Sequence, residues 1–285
     1  MSRPSPARRG VRAFVLALAA ASVAATGCSS SGGTASSPAP STATTAEAPL
    51  SLVVIGDSIP YNSQQDCPGC RGFVTRYAEA LAKATGREVT STNRSTHTGL
   101  TLSGLMTDLP GLREELTAAD AIIVGIAHNS FPLNDEEPCG SAVDPATGAI
   151  EDWSTVGAAC AATATATWRP VYDELFSTVA GWRAGRPTIL QTVNRYNDWI
   201  GFEQARLTAD QAERTVVLHD AWNTMLCDSA EANGFDCTDV YHAFNGADGR
   251  TPSGDLLAAD YTHPSQRGND EIARLLTERG FAPLG

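Results

Sequence analysis

Short apolar runs separated by helical patterns are the feature that most constrains the fold of this chain. Five runs have the character of buried strands, at residues 50–55, 87–92, 121–126, 188–193 and 215–218. Between and after them, the spacing of apolar residues predicts helices over residues 72–84, 102–116, 168–182 and 265–280. Strands that are each followed by a helix or a long loop are typical of a parallel sheet covered on both faces. The sequence therefore predicts a three-layer α/β/α fold with a five-stranded parallel sheet.

The first residues have the pattern of an export signal. Four arginines precede an apolar stretch at residues 13–25, which is too short to span a membrane as a stable helix. Small residues then lead to Cys28, as in the lipobox of bacterial lipoproteins, which this segment resembles although Ala25 stands where the motif prefers leucine. We expect residues 1–27 to be removed and Cys28 to carry a lipid. Ordinary cleavage that leaves a free cysteine is the alternative.

The next segment and the charge balance indicate a tethered, exported domain. Residues 28–49 consist mainly of Ser, Thr, Ala, Gly and Pro, which build no core, so we expect a flexible link to one domain at residues 50–285. The chain has 20 basic and 32 acidic residues; without the four leader arginines, 16 basic residues remain and the net charge is −16. Such an acidic surface argues against nucleic-acid partners. We expect a monomer that Cys28 anchors to the outer face of the bacterial cell membrane.

Six further cysteines predict disulfides. An even number of cysteines in an exported chain is typical of a disulfide framework, although the sequence leaves the connectivity open. Pairing between sequence neighbours is the simplest arrangement, since each pair then closes one loop: Cys67–Cys70, Cys139–Cys160 and Cys227–Cys237. A redox C-x-x-C motif is the alternative for the first pair, but no other thioredoxin-like feature accompanies it. A zinc site is not expected, because the sequence has no second C-x-x-C and no spaced histidine pair.

Two separate segments carry the residue types of nucleophilic catalysis. Ser58 follows the first apolar run in the tripeptide Gly-Asp-Ser, and Asp260 and His263 stand near the end of the chain in the sequence Asp-Tyr-Thr-His-Pro. A serine hydroxyl needs a base to attack, a histidine can take its proton near neutral pH, and a carboxylate can fix the histidine tautomer. Taken singly, each segment is more typical of a helix N-cap. Together, at the carboxyl ends of predicted strands, they predict a catalytic triad.

Other candidates for the chemistry are weaker. No Gly-x-Ser-x-Gly motif occurs, and Lys83 lies inside a predicted helix, which disfavours a Ser–Lys dyad. Asp57 is expected to stabilise its loop rather than act as a base. His97 and His128 either line the pocket or, as we expect, make local hydrogen bonds.

Four blocks along the chain resemble those of the SGNH, or GDSL-type, hydrolases. Gly-Asp-Ser-Ile at residues 56–59 matches the first block, Gly99 the second, and Asp260-x-x-His263-Pro with a following glycine the last. The third block resembles residues 125–129, but Asn129 lies two residues further from its glycine than in the family. The resemblance covers about residues 52–276 and implies a flavodoxin-like fold. It also implies an oxyanion hole made by the backbone N–H groups of Ser58 and Gly99 and the side-chain amide of Asn129.

The resemblance implies a serine esterase that hydrolyses carboxylic esters through an acyl-Ser58 intermediate, without a metal or an organic cofactor. Short-acyl esters on glycans or lipids are the expected substrates, because the acidic surface favours polar ones. A lipase or phospholipase of the same fold is one alternative, and a non-catalytic envelope lipoprotein that binds glycan is another. Two long loops, 131–167 and 227–259, remain without an assigned role. Aromatic residues on or near such loops either line the cleft or pack beneath the loops: Trp153, Tyr196, Trp199, Trp222, Tyr241 and Phe244.

Overall fold

A computed structural model describes residues 47–133, 139, 152–201 and 207–285. The leader, Cys28 and nearly all of the tether lie outside these residues. The five strands are β1 (Leu50–Gly56), β2 (Val89–Asn93), β3 (Ala121–Gly125), β4 (Ile189–Val193) and β5 (Asp236–Thr238). All neighbouring strands are parallel, in the order β2-β1-β3-β4-β5. The predicted five-stranded parallel sheet is confirmed.

Helices connect the strands and cover the sheet. They are α1 (Ser58–Tyr61), α2 (Phe73–Thr85), α3 (Leu102–Asp108), α4 (Arg113–Ala118), α5 (Ala158–Trp182), α6 (Ala209–Ala232), α7 (Val240–Asn245) and α8 (Gln266–Glu278). The helix predicted over residues 102–116 is divided by a 3-10 turn at Leu109–Leu112, which contains a proline. Among the described residues, no helix has both the length and the apolar character needed to cross a membrane.

The fifth strand lies elsewhere than predicted. Residues 215–218 belong to the middle of α6, so the prediction of a strand there was wrong. A capping box starts this helix: Thr208 Oγ1 accepts from the N–H of Gln211, and Gln211 Oε1 accepts from the N–H of Thr208. Packing of α6 against α5 then keeps the β-branched run at residues 215–218 helical despite its strand-like composition. The actual edge strand, β5, has three residues, which is too short to show a period-2 pattern.

The alternation of side chains along β1 explains the three layers. Leu52 and Val54 point into the cluster formed with α2, α7 and α8, whereas Val53 and Ile55 point into the cluster formed with α3 to α6. All four side chains are at most 2% exposed. Because both faces of this strand are buried, it reads as a continuous apolar run in the sequence.

The six cysteines of the domain form disulfides between sequence neighbours. The pairs are Cys67–Cys70, Cys139–Cys160 and Cys227–Cys237. The first closes a turn in front of α2, and the last joins α6 to the short edge strand β5. This is the simplest of the connectivities that the sequence left open.

The strand order places a crevice at the carboxyl ends of β1 and β3. In this topology the chain order reverses between those two strands, and ligands bind in the crevice that results. Gly56 and Gly125 pair at the end of the two strands. A Cβ atom on Gly56 would lie 2.1 Å from the carbonyl oxygen of Gly125, so only glycine lets the strands approach this closely. The segment after β1 therefore leaves the sheet directly at the crevice.

Candidate active site

Ser58 lies at the carboxyl edge of the sheet, as expected. It is the first residue of α1 and follows β1 after one intervening residue. Its side chain is largely buried, and its hydroxyl makes no hydrogen bond to the part of the chain that the structure describes. The N–H of a first helical residue has no partner within the helix. Both the hydroxyl and the N–H of Ser58 are therefore available to a bound ligand.

Asp57 fastens the serine turn to the loop after β3. One carboxylate oxygen accepts from the N–H of Ile59 at 3.0 Å, and the other accepts from the N–H groups of Ala127 and His128 at 3.2 and 3.0 Å. The side chain is fully buried, and this burial raises the pKa of Asp57 despite the three N–H donors and the charge of Arg195. With its oxygens occupied by backbone donors, Asp57 stabilises the loop, in agreement with the sequence interpretation.

His263 and Asp260 form a hydrogen-bonded pair on one short segment. Nδ1 of His263 lies 2.6 Å from Oδ2 of Asp260, and the N–H groups of Thr262 and His263 donate to Oδ1 at 3.1 and 3.0 Å. Tyr261, between them, has a left-handed backbone with φ 60°, which is strained for a residue with a large side chain. The carboxylate favours the tautomer with a proton on Nδ1 and leaves Nε2 as the acceptor.

The surroundings of His263 raise its pKa. Burial alone would lower the pKa, but the hydrogen bond and charge of Asp260 outweigh it, and the charges of Asp66 and Asp57 add to them. The pKa of Asp260 shifts in the opposite direction: burial would raise it, and the bonds from the imidazole and two backbone N–H groups lower it. His263 is therefore a stronger base than an ordinary histidine.

A buried tyrosine holds the segment that carries His263. The hydroxyl of Tyr196 donates to the carbonyl of Thr262 at 2.5 Å, and its ring stacks on Phe244 with the centroids 4.6 Å apart. The N–H of Ala258 donates to the carbonyl of His263 at 2.7 Å. The backbone on both sides of the imidazole is thereby fixed. No sequence motif marked Tyr196 for this role.

Gly99 and Asn129, the candidates for the oxyanion hole besides Ser58, belong to neighbouring loops. Gly99 has a left-handed backbone, with φ 71°, that favours glycine. The side-chain amide of Asn129 donates to the carbonyl of Leu100 at 3.1 Å and so joins the loop after β3 to the loop after β2. An amide group has two N–H donors, so one remains for a ligand. Ser130 anchors the same region, because its hydroxyl accepts from the N–H of Leu102 at the start of α3.

Comparisons with known proteins identify the architecture. No protein-family model matches the sequence, and no curated protein matches it. Solved structures do match. A lipase from a goat rumen metagenome is 19% identical, with a TM-score of 0.60 over 83% of this chain and all of that one. Phospholipase A1 from Streptomyces albidoflavus is 18% identical, with a TM-score of 0.54 over 82% of this chain and all of that one. An acetyl xylan esterase is 14% identical, with a TM-score of 0.52 over 81% of this chain and all of that one.

The chain has the SGNH hydrolase fold. Ser58 follows β1, Gly99 follows β2, Asn129 follows β3, and the Asp260–His263 pair lies between α7 and α8, after β5. All four positions therefore come after the carboxyl end of a parallel strand.

On the SGNH scaffold, a polar cluster that the sequence did not indicate lies beside His263. Oδ2 of Asp66 is 2.8 Å from Nε2 of His97 and 3.5 Å from Nε2 of His263. The ring of Tyr61 stacks on His97, with the centroids 5.6 Å apart. His97 thus makes a local hydrogen bond, as expected, but it also lies next to the candidate base.

Asn269 ties the histidine segment to the helix that follows the serine turn. It is fully buried in α8, where its side-chain oxygen accepts from the N–H of Phe73 and its amide donates to the carbonyl of Pro264. The same amide lies 3.3 Å from the side-chain oxygen of Asn62, the C-cap of α1. The only sequence feature that could have indicated this role of Asn269 is its position as a polar residue on the inward face of the last predicted helix.

The remaining histidines have structural surroundings. His128 packs its ring on Tyr196 with the centroids 4.5 Å apart, and burial lowers its pKa well below the usual range. His219 is buried against Arg195, and His242 pairs with Asp239 at the start of α7. Of the six aromatic residues near the long loops, four are buried in the core and so do not line the cleft: Tyr196, Trp222, Tyr241 and Phe244.

Proposed function

We propose that this protein is a serine esterase that uses Ser58, His263 and Asp260. The observation that carries the proposal is the 2.6 Å Asp260–His263 pair at the same sheet edge as Ser58. Two features support it: the hydrogen bond from Tyr196 that holds the backbone of the pair, and a fold shared with lipases and an acetyl xylan esterase.

The chemistry follows from the roles of these groups. Nε2 of His263 takes the hydroxyl proton as Oγ of Ser58 attacks the ester carbonyl carbon. The N–H groups of Ser58 and Gly99 and the amide of Asn129 stabilise the oxyanion. The imidazolium then gives its proton to the leaving alcohol, and an acyl-serine remains. Water, deprotonated by His263, attacks this ester and releases the acid, after which the proton returns to Ser58.

Short-acyl esters of polar molecules such as glycans are the proposed substrates. Among the described residues, Tyr61 is the only large hydrophobic residue that is exposed, with 47% of its surface accessible to solvent. A lipase that works at a lipid interface would need a broader apolar surface. Esters of p-nitrophenol with increasing acyl length test this assignment: kcat/KM should be highest for acetyl or butyryl and should fall for long chains. A maximum at long chains would favour the lipase alternative.

Replacing Ser58 with alanine should abolish ester hydrolysis. Removal of the nucleophile from a triad typically costs a factor of about a million in kcat, so the rate of p-nitrophenyl acetate hydrolysis should fall to background. Ser103→Ala, on the exposed face of α3, is the matched control and should keep full activity. Circular dichroism should show both variants folded.

A fluorophosphonate probe separates the esterase from a non-catalytic binding protein. The wild type should be labelled at Ser58, and Ser58→Ala should not be labelled. Wild-type protein that resists labelling and hydrolyses no ester would contradict the proposed function and favour a glycan-binding lipoprotein.

We also propose that the protein is exported and anchored through a lipid on Cys28. The arginine-rich leader, the small residues before Cys28 and the tether composition support this location.

A further inference from the structure

We propose that Asp66, His97 and His263 form a binding site for a transition-metal ion of the Zn²⁺ class, and that the ion inhibits the enzyme reversibly by occupying the catalytic histidine. The inhibition rests on the proposed function, whereas the metal site rests on geometry alone. Three separate loops supply the ligands, which is why the sequence contains no metal-binding motif.

The distances between the ligand atoms fit a single ion. One ligand atom from each of the three side chains lies within 4.8 Å of the ligand atoms of the other two. Tetrahedral zinc with bonds of the usual length keeps its ligand atoms about 3.3 Å apart. The Asp66–His263 separation of 3.5 Å already matches that value, and the Asp66–His97 hydrogen bond of 2.8 Å needs to lengthen by a few tenths of an ångström.

Backbone contacts hold the three ligand segments in place. The N–H groups of Asp66 and Cys67 donate to the carbonyl of Ser63. The N–H of Thr96, next to His97, donates to the carbonyl of Gly56 at the end of β1. His263 is fixed by the contacts to its own segment described above. The ligands are therefore largely positioned before any ion arrives, which lowers the entropic cost of binding.

The surroundings favour zinc over magnesium or calcium. Two imidazole nitrogens and one carboxylate are typical zinc ligands, whereas hard cations prefer oxygen alone. Asp260 accepts from Nδ1 of His263, as second carboxylates do behind zinc-binding histidines. The side chains of Asp66 and His97 are 15% and 32% exposed, and water would complete the four-coordinate set from their side, because Nε2 of His263 is itself buried.

Binding requires the lone pair on Nε2 of both histidines. His97 must move its proton to Nδ1 or release it to solvent, while His263 keeps its Nδ1 proton on Asp260. The Nε2 atom of His263 is also the atom that takes the proton of Ser58. An ion bound there leaves the serine without a base, so inhibition is complete at saturation and is reversed when a chelator removes the ion.

Calorimetric titration of the chelator-treated, full-length protein with ZnCl₂ tests the site directly. We expect one ion per chain in the wild type. Loss of a residue that only hydrogen-bonds to a metal ligand typically weakens metal binding about tenfold to 100-fold. Loss of a ligand itself, in His97→Gln or Asp66→Asn, should weaken zinc binding at least as much. His242→Gln is the control: it removes the other Asp-x-x-His pair, which has the same 2.6 Å contact but no third ligand among the described residues.

The rate of p-nitrophenyl acetate hydrolysis is measured over the same titration. Zn²⁺ should inhibit the wild type and His242→Gln alike, EDTA should restore the rate, and Mg²⁺ should have no effect. The rate of His97→Gln is compared with that variant's own metal-free rate. The Zn²⁺ concentration that halves it should be at least about tenfold higher than for the wild type.

The outcomes separate the two proposals. Zinc that does not bind, binds equally well to His97→Gln, or raises the rate would overturn this inference and leave the esterase assignment standing. One bound zinc, lost in His97→Gln, in a protein that hydrolyses no ester would keep the metal site and contradict the esterase.

Discussion

At the scale of single residues, carboxylates surround the imidazole of His263. Asp260 bonds Nδ1, Asp66 faces Nε2 at 3.5 Å, and Asp57 contributes through its charge. Each negative charge stabilises the imidazolium, which forms in both steps of the proposed reaction. The same charges keep the histidine protonated to a higher pH than usual.

The pH profile of the reaction should show this effect. The base must be neutral to act, so kcat/KM should decrease as the pH falls through the pKa of His263, with a midpoint above the ordinary value of about 6.5. With EDTA present, Asp66→Asn should move this midpoint to lower pH, because a negative charge next to the ring is lost. Asp239→Asn, at the other Asp–His pair, should leave it in place. A wild-type midpoint at or below about 6.5 would contradict the assignment of His263.

The sequence could reveal only part of this site. Ser58, Asp260 and His263 stand in recognisable motifs because the chemistry restricts both residue type and spacing. Asp66, Tyr196 and Asn269 have no such motif. Their roles depend on which loops and helices lie side by side, and that is a property of the folded chain.

At the scale of secondary structure, the sheet was predictable where the strands are long and buried. β1, β3 and β4 appear as apolar runs because both of their faces are covered. The edge strand β5 was not predictable, since three residues carry no periodicity, whereas the β-branched run at residues 215–218 has the composition of a strand but is helical. A capping box and packing on α5 outweighed the β-branched composition of that run.

The contact between the ends of β1 and β3 should tolerate only glycine at residue 56. Gly56→Ala would place a Cβ 2.1 Å from a carbonyl oxygen, and overpacking of this kind costs about 1–3 kcal/mol or more. The urea midpoint should fall accordingly, and ester hydrolysis should fall with it because Ser58 shifts.

A glycine without close neighbours provides the control for that substitution. A Cβ on Gly181, which is exposed in α5, would have no atom within 4 Å, so Gly181→Ala should keep its stability or gain up to about 1 kcal/mol. Equal urea midpoints for the two variants would show that the strand contact is not tight.

At the scale of the whole molecule, the proposed export and lipid anchor would determine where the domain acts. If residues 1–27 are removed as proposed, the remaining chain carries a net charge of −16 and is repelled by anionic lipid surfaces. A covalent lipid would therefore be needed to keep it at a membrane. A single acyl chain anchors weakly, whereas the several chains of a bacterial lipoprotein anchor stably.

Substitution of Cys28 tests this anchor. In a bacterial host that processes lipoproteins, the full-length wild type should sediment with the membranes, and Cys28→Ser should appear in the soluble or secreted fraction. Ser29→Ala, next to the lipidation residue, should remain with the membranes. A wild type that is soluble from the start would exclude the anchor and favour ordinary signal cleavage.

The compactness of the Asp260–His263 segment has a consequence for how this protein could evolve. The acid and the base lie within four residues, and Tyr196 and Ala258 hold the backbone around them. All of these contacts come from outside the long insertion at residues 131–167. The described part of that segment includes the first turns of α5 and buried core residues such as Phe131 and Val156, so the segment cannot be exchanged as a whole. Substitutions at its exposed positions would leave the contacts of the acid–base pair in place, so a change of substrate preference made there would not have to disturb proton transfer.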